Sequence, residues 1–237
     1  MKKKVQRRST PRRTSASSSS SPKPAENGTR DRLLDAAEAL FSQYGPHGVA
    51  LREVVDQAKA NIAAVNYYFG SKDELFDEVV ARSIQRLASE LVAALDETAR
   101  GQKGDLTLED ILGSFLRGGL RGELRVYFRL RTWMGMVNPT RATEMLAEFF
   151  DPMTSRYADA LAAVLPELSR ADLGWRLYLV SAALLFTAFD ANRLGALTGG
   201  KVQSTDTAAV IGNLVPLLAD GMRRAGPAVK KSRRSAS

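Results

Sequence analysis

Residues 61–75 read NIAAVNYYFGSKDEL, and this stretch decides the fold. Asn61 is a good helix N-cap, because its short side chain can accept a backbone N–H left free at a helix start. Ile62, Val65 and Phe69 follow at helical spacing, and Gly70 ends a short helix. Ser71 and Glu74 then stand three residues apart, the capping-box spacing in which each side chain satisfies the other residue's backbone N–H, so a new helix opens at once. The leading turn of the short helix is Ile62, Ala63 and Ala64, small enough to bring its backbone close to whatever it faces. Tyr67 and Tyr68 leave that helix with phenol groups, Phe69 is expected to turn inward as core, and Lys72 falls in the first turn of the next helix.

Working outward, Leu51, Val54, Val55 and Ala58 recur at i, i+3, i+4 and i+7 and predict a second short helix, separated from the first by a turn at Lys59 to Asn61. Upstream, residues 29–44 predict a helix with Leu33, Ala37, Leu40, Phe41 and Tyr44 on one face and Gly45-Pro46 as its stop. Downstream, Leu75, Val79, Ile84, Leu87, Leu91 and Leu95 predict a long fourth helix that no Gly or Pro interrupts before Arg100. Further helices are predicted at 107–119, 122–137, 141–165, 170–196 and 206–224. No segment alternates in the manner of a strand. The fold class is therefore all-α: an N-terminal three-helix helix-turn-helix domain and a larger C-terminal helical domain.

Charge divides the chain further. Residues 1–27 hold eight Lys/Arg against Glu26 alone, and residues 221–237 hold six with no acid, so the net +8 leaves −5 for everything between. Both ends are too polar to bury a core, and the expected organisation is a disordered basic tail at 1–27, a helix-turn-helix domain at 28–80, an effector-binding and dimerisation domain at 81–226 and a second disordered basic tail at 227–237. The absence of cysteine rules out disulfides, thiolate metal sites and Cys nucleophiles, and the single histidine, His47 in a Pro-His-Gly turn, closes off His clusters. Neither a metal nor a cofactor is expected, and with no nucleophile–base pair the chain does not read as an enzyme. No run approaches the roughly 18 apolar residues of a membrane span, and the N-terminus lacks a secretory apolar stretch, so a cytoplasmic protein with no membrane partner is expected.

Two short helices joined by a three-residue turn, the second open on one side, make the layout that lays a recognition helix in the DNA major groove. The first-helix sequence LLDAAEALFSQYG and the exit VNYYFGSKDEL make residues 29–80 similar to the DNA-binding domain of TetR-family repressors. The resemblance implies a double-stranded DNA operator as partner, phosphate contacts from Tyr67, Tyr68 and Lys72, and positions near the bases at Asn61, Ile62, Ala63, Ala64 and Asn66. Arg52 is a candidate phosphate contact or a solvated surface residue, and packing is the competing reading for both tyrosines. Two positions depart from the family. Lys59 stands where Gly is usual in the turn, which is strained if it takes a left-handed conformation, and Ala50 stands where Thr or Ser usually caps the second helix, a loss of about 1 kcal/mol.

From Gly104 onward the helices are rich in aromatics and Met, a composition that serves as core and also leaves apolar cavities between helices. The candidate lining of such a cavity is Phe115, Tyr127, Arg129, Arg131, Trp133, Met134, Met136, Phe149, Trp175 and Tyr178. Arg129 and Arg131 are possible anion anchors there, or members of a solvated face. The segments YFRLRTWMGMVNPT and LGWRLYLVSAALLFTAFDANRL are similar to the ligand domain of a TetR branch that responds to fatty acids or acyl thioesters. That resemblance implies a small-molecule effector with an elongated apolar body and an acidic head. The helix from Trp175 to Leu194 is apolar nearly all round, with Leu179, Ala182, Ala183, Phe186 and Phe189 as burial candidates, and the helix carrying Val210, Leu214, Leu217 and Leu218 is its expected mate. The resemblance implies that these last two helices join their copies in a homodimer. The expected function is a sequence-specific repressor released from a palindromic operator by its effector. An activator of the same fold and an effector-free DNA-architectural protein working through its tails are the alternatives.

Overall fold

The computed structural model describes residues 24–224 apart from residues 122, 190 and 204; the expectations for residues 1–23 and 225–237 lie outside the described residues. Among the described residues there are eleven α-helices and no strand. They are α1 (Pro24–Tyr44), α2 (Leu51–Gln57), α3 (Ile62–Phe69), α4 (Lys72–Gly101), α5 (Leu108–Arg121), α6 (Leu124–Val137), α7 (Pro139–Phe149), α8 (Asp151–Val164), α9 (Arg170–Phe189), α10 (Ala191–Leu197) and α11 (Thr207–Arg223). The first helix begins inside the segment expected to be tail. It opens on Pro24, a residue whose missing N–H is no loss at a helix start.

α1 to α3 and the first turns of α4 form a small head. Leu33, Ala37 and Phe41 of α1 are fully buried, and Phe41 meets Phe76 of α4 edge-on at 5.5 Å. Tyr44, in the last turn, is half exposed rather than core. Ala50 offers α2 no side-chain cap, yet Glu53 reaches back to accept the Ala50 N–H at 2.6 Å, so one arm of a capping box survives. At α4 the opposite arm is the one made. Ser71 Oγ accepts the Glu74 N–H at 3.1 Å, but the Glu74 carboxylate lies against Gly70 (φ +83°), in the space a Cβ there would fill. The reciprocal bond expected from the S-x-x-E spacing is therefore not formed.

α4 is the spine. It packs on α1 and α3 near its start and on α5 to α8 farther along. The predicted helix at 141–165 is two helices, because Pro152 cannot occupy a helix interior without losing a hydrogen bond and clashing with the preceding turn; it sits instead in the first turn of α8. The predicted helix at 170–196 is likewise divided into α9 and α10.

α11 packs on α5 rather than alongside α9 as expected. α9 and α11 are joined where the Arg176 guanidinium of α9 donates to the Met222 and Arg224 carbonyls at the end of α11. One side of α9 (Leu173, Leu177, Val180, Leu184 and Ala188) is buried against α5, α6 and α8. Its other side is open: Trp175, Leu179, Phe186 and Phe189, at 64%, 48%, 66% and 57% exposure, are surface residues of the single chain and are not covered by α11 as the expected pairing of the two helices would have them. By length and composition α9 could cross a membrane, but it carries Arg170, Asp172 and Arg176 and packs one side, about a third of its residues, into the bundle.

Candidate nucleic-acid interface and effector cavity

α3 is held from one side only. Asn61 Oδ1 accepts the Ala64 N–H at 2.9 Å and starts the helix, Gly70 in the left-handed region ends it, and Val65 and Phe69 anchor it in the head core. On a helix these two neighbours lie one turn apart, so residues one turn apart on the far side share the open face. Asn61, Ile62, Ala63, Asn66 and Tyr67 are exposed there, Tyr67 at 74%, while Ala64 and Tyr68 are half-buried at its edge. Packing therefore does not account for Tyr67, whereas Tyr68 leans on both Tyr67 and Phe69 at ring distances of 4.9 and 6.2 Å.

Lys72 occupies the first position of α4, directly after the Ser71 cap, where free N–H groups and the positive end of the helix dipole add to its charge. It makes no ion pair among the described residues. Arg52 on α2 is 85% exposed and stands 3.9 Å from Asp56, a loose surface pair. The ensemble of an open helix face, two tyrosines at its exit and one helix-start lysine can lie against a polyanionic groove.

The cavity lies between α4, α5, α6, α8 and α9, with a volume of about 300 Å³. Four of the predicted lining residues reach it: Phe115, Tyr127, Arg131 and Tyr178. The others do not. Along α6, Tyr127 and Arg131 are one turn apart and share the cavity face; Arg129 and Met136 then fall on the opposite side, where both are exposed. Met134 is fully buried as core. Trp133 leaves the cavity altogether: its ring covers Gly45 in the turn after α1, so closely that a Cβ there would sit 2.9 Å from the ring. Phe149 lines a separate open groove with Ala88 and Val92 of α4. Trp175 is on the open side of α9, stacked on Tyr178 at 6.0 Å. Leu87 and Leu91 of α4, Leu124, Phe150, Leu177 and Leu184 supply apolar wall that the aromatic and Met pattern did not single out, and Asp151, Thr154 and Ser181 add polar points.

Tyr127 is the group with the strongest environment in this cavity. Its side chain is buried, its phenol has no hydrogen-bond partner among the described residues, and burial pushes its pKa above the usual tyrosine value, with nearby Arg131 pulling the other way. Arg131 is half-buried and has no carboxylate partner among the described residues. A second, larger opening beside α4 is lined by Arg82, Arg86 and Arg121 with Glu90 and Glu123. Its arginines are already engaged: Arg82 with Asp35 and Glu38, Arg86 with Glu38 and Glu123, Arg121 with Glu97.

Residues 33–79 match the family described as bacterial regulatory proteins, tetR family. Residues 113–221 match the family described as tetracyclin repressor-like, C-terminal domain. The HTH-type nicotine-responsive transcriptional repressor HdnoR of Paenarthrobacter nicotinovorans is 34% identical over 67 residues, 28% of this chain and 34% of that one. The chain spans about a third of the length of HdnoR and of YttP from Bacillus subtilis. A regulatory protein in the tetR family from Rhodococcus RHA1 has the same fold with a TM-score of 0.61 at 13% identity, over 84% of this chain and 98% of that one. A Clostridium perfringens regulator named for fatty acid metabolism gives 0.55 at 16% identity, over 80% and 97%. With its head and its cavity-bearing bundle matched separately by the two halves of one family, and its fold shared over 84% of the chain with a solved member, the chain belongs to the TetR family of transcriptional regulators.

Proposed function

We propose that the protein binds a palindromic DNA operator as a homodimer and releases it when a small, mainly apolar molecule with an acidic head occupies the cavity. The observation that carries this reading is the one-sided anchoring of α3, which leaves Asn61, Ile62, Ala63, Asn66 and Tyr67 open while Val65 and Phe69 hold the helix in place. Tyr67, Tyr68 and Lys72 position the head on phosphates, and the short side chains of the leading turn admit the backbone to the groove. The open apolar sides of α9 and α11, with Trp175, Leu179, Phe186 and Leu217, support burial against a second copy. Two heads would then meet successive major grooves about 34–36 Å apart.

The effector reading rests on Arg131 and Tyr127, a cation and a phenol with no partner among the described residues, set in a largely apolar wall that also carries Asp151, Thr154 and Ser181. Both suit a carboxylate on an alkyl chain, and the Clostridium perfringens regulator that shares the fold is named for fatty acid metabolism. Coupling follows from α4. Leu87 and Leu91 line the cavity and Lys72 begins the same uninterrupted helix of 30 residues, about 45 Å long, so a small tilt at the cavity displaces the head. A tenfold release needs only about 1.4 kcal/mol of coupling.

The test uses a duplex selected by the protein from a random library. Lys72→Ala should weaken binding to all sequences alike and reduce the slope of log K against log salt by about one unit; an unchanged slope removes Lys72 from the interface. Decanoate should release the duplex, and decanol should do so less well. Equal release by the two would remove Arg131 as the head anchor.

A further inference from the structure

The open face of α3 holds few kinds of chemistry. The helix, Ile62–Phe69, has no charged side chain. Val65 and Phe69 belong to the head core and Ala64 and Tyr68 lie half-buried at the edge, which leaves Ile62, Ala63, Asn66 and Tyr67 exposed. Ile62 and Ala63 present hydrocarbon only, and Tyr67 ends in a single hydroxyl on a long ring, suited to a phosphate. Asn66 alone offers a donor and an acceptor side by side. Its carboxamide has no hydrogen-bond partner among the described residues. The other carboxamide at this face, Asn61, is already engaged: its Oδ1 accepts the Ala64 N–H at 2.9 Å and is held back toward the helix start.

Each base pair shows its own pattern in the major groove: adenine an acceptor at N7 beside a donor at N6, guanine two acceptors, thymine a methyl group. A carboxamide matches adenine, its oxygen accepting from N6 and its nitrogen donating to N7. Two adjacent acceptors call instead for a guanidinium or an ammonium. α3 carries the first kind of group and not the second. Asparagine is also short and meets a base edge only where the backbone comes close, which the methyl side chains of Ala63 and Ala64 allow. Ile62 precedes Asn66 by four residues and so lies on the same side of the helix, about 5–6 Å away. That is less than two base steps of about 3.4 Å. Ile62 and Ala63 are the hydrocarbon that suits thymine methyls.

We propose that Asn66 is the specificity-determining residue of α3: it reads one adenine in each half-site by a two-bond contact, with Ile62 and Ala63 against thymine methyls within two base pairs of it. This rests on the DNA-binding reading above and adds what the operator must contain, an A·T pair fixed by Asn66 and no guanine read from α3. Tyr67, Tyr68 and Lys72 hold phosphates and set the register in which Asn66 meets its base.

The experiment uses the full chain and its Asn66→Ala variant, each selecting duplexes from a random library, followed by fluorescence anisotropy titrations. The parent should select a palindrome with a fixed adenine in each half-site and a second fixed A·T pair within two steps of it. Asn66→Ala should keep the circular dichroism spectrum and select the same palindrome with that adenine position alone opened to all four bases. It should bind the parent's duplex about tenfold more weakly with an unchanged salt slope. Replacing the fixed adenine by 7-deazaadenine, which pairs normally but lacks the N7 acceptor, should weaken the parent about threefold or more and leave Asn66→Ala where it was. Half-sites fixed only at G·C pairs, an unchanged selection by Asn66→Ala, a uniform loss with a lower salt slope, or an equal 7-deazaadenine effect on both proteins would each overturn the proposal. All four leave the regulator reading standing, because the parent still selects a sequence. If the parent selects none, that reading fails first and this inference falls with it.

Discussion

α3 and α6 are both short amphipathic helices with neighbouring aromatics, yet they are built on different terms. α3 has one partner, the head core, and its eight residues divide into an anchored side, Val65 and Phe69, and an open side. α6 has three: the cavity at Tyr127 and Arg131, the bundle core at Leu130 and Met134, and the head at Trp133. A helix with one neighbour has its two faces set by its own period. A helix with three has the same period but no way to say which of its sides meets which neighbour. α3 can thus present side chains outward as a unit, whereas α6 ties the cavity and the head together within two residues, Arg131 and Trp133.

The largest effect should come from the anchored side of α3. Phe69→Ala removes a ring that is 6% exposed and should destabilise the protein by about 3–5 kcal/mol in chemical denaturation, taking DNA binding with it. Tyr67→Ala, two residues away, should change stability by less than about 0.5 kcal/mol and still weaken DNA binding. If the two variants lost stability equally, α3 would be packed on both sides and the contrast with α6 would collapse.

Next in size is the contact that makes α6 different. Gly45 has φ of +74° and the Trp133 ring over it, so Gly45→Ala meets both a left-handed backbone and a wall, and should cost about 2–4 kcal/mol. With Trp133→Ala in the same chain the wall is gone, and the added cost of Gly45→Ala should fall to the backbone part, about 1–2 kcal/mol. A double-mutant cycle in the absence of effector that gave no coupling would mean the ring and the turn do not press on each other. If decanoate binds the cavity, the coupling should shrink in its presence, because a shift of Arg131 also shifts Trp133.

What could be read in advance follows the same division. The Asn61 cap, the Gly70 stop and the inward Phe69 are local events, complete within ten residues, and each is found where its chemistry requires. The box at Ser71 and Glu74 was half right, because the spacing permits two placements of the Glu74 carboxylate and the space over Gly70, visible only in three dimensions, takes it. Pro152 was a local signal too: a proline directly after Asp151 marks a new first turn, which a periodicity count passes over. The cavity lining was legible only in part, since Arg129, Trp133, Met134 and Met136 are close in sequence and diverge by helical angle onto different neighbours. For α9, composition was uniform around the helix, and which half is buried depends on α5, α6 and α8.

The smallest predicted effect concerns the turn that leads into α3. Lys59 has φ of +51°. Its N–H donates to Asp56 O at 3.2 Å and the Ala60 N–H donates to Val55 O at 2.9 Å, the two bonds of a Schellman motif in which the left-handed position normally belongs to glycine. A side chain there is strained by about 1–2 kcal/mol, partly offset because glycine gives the unfolded chain more freedom to lose, about 0.4–1 kcal/mol. Lys59→Gly should therefore stabilise the protein by roughly 0.5–1 kcal/mol. It should also take away a head cation that has no carboxylate partner among the described residues, lowering the salt slope of DNA binding by about one unit. The opposed signs are the point of the measurement: denaturant midpoints and anisotropy titrations on the same variant separate a strained turn kept for its charge from one that is merely strained. Higher stability with an unchanged slope would take Lys59 out of the interface and leave Lys72 as the phosphate contact at the ends of α3.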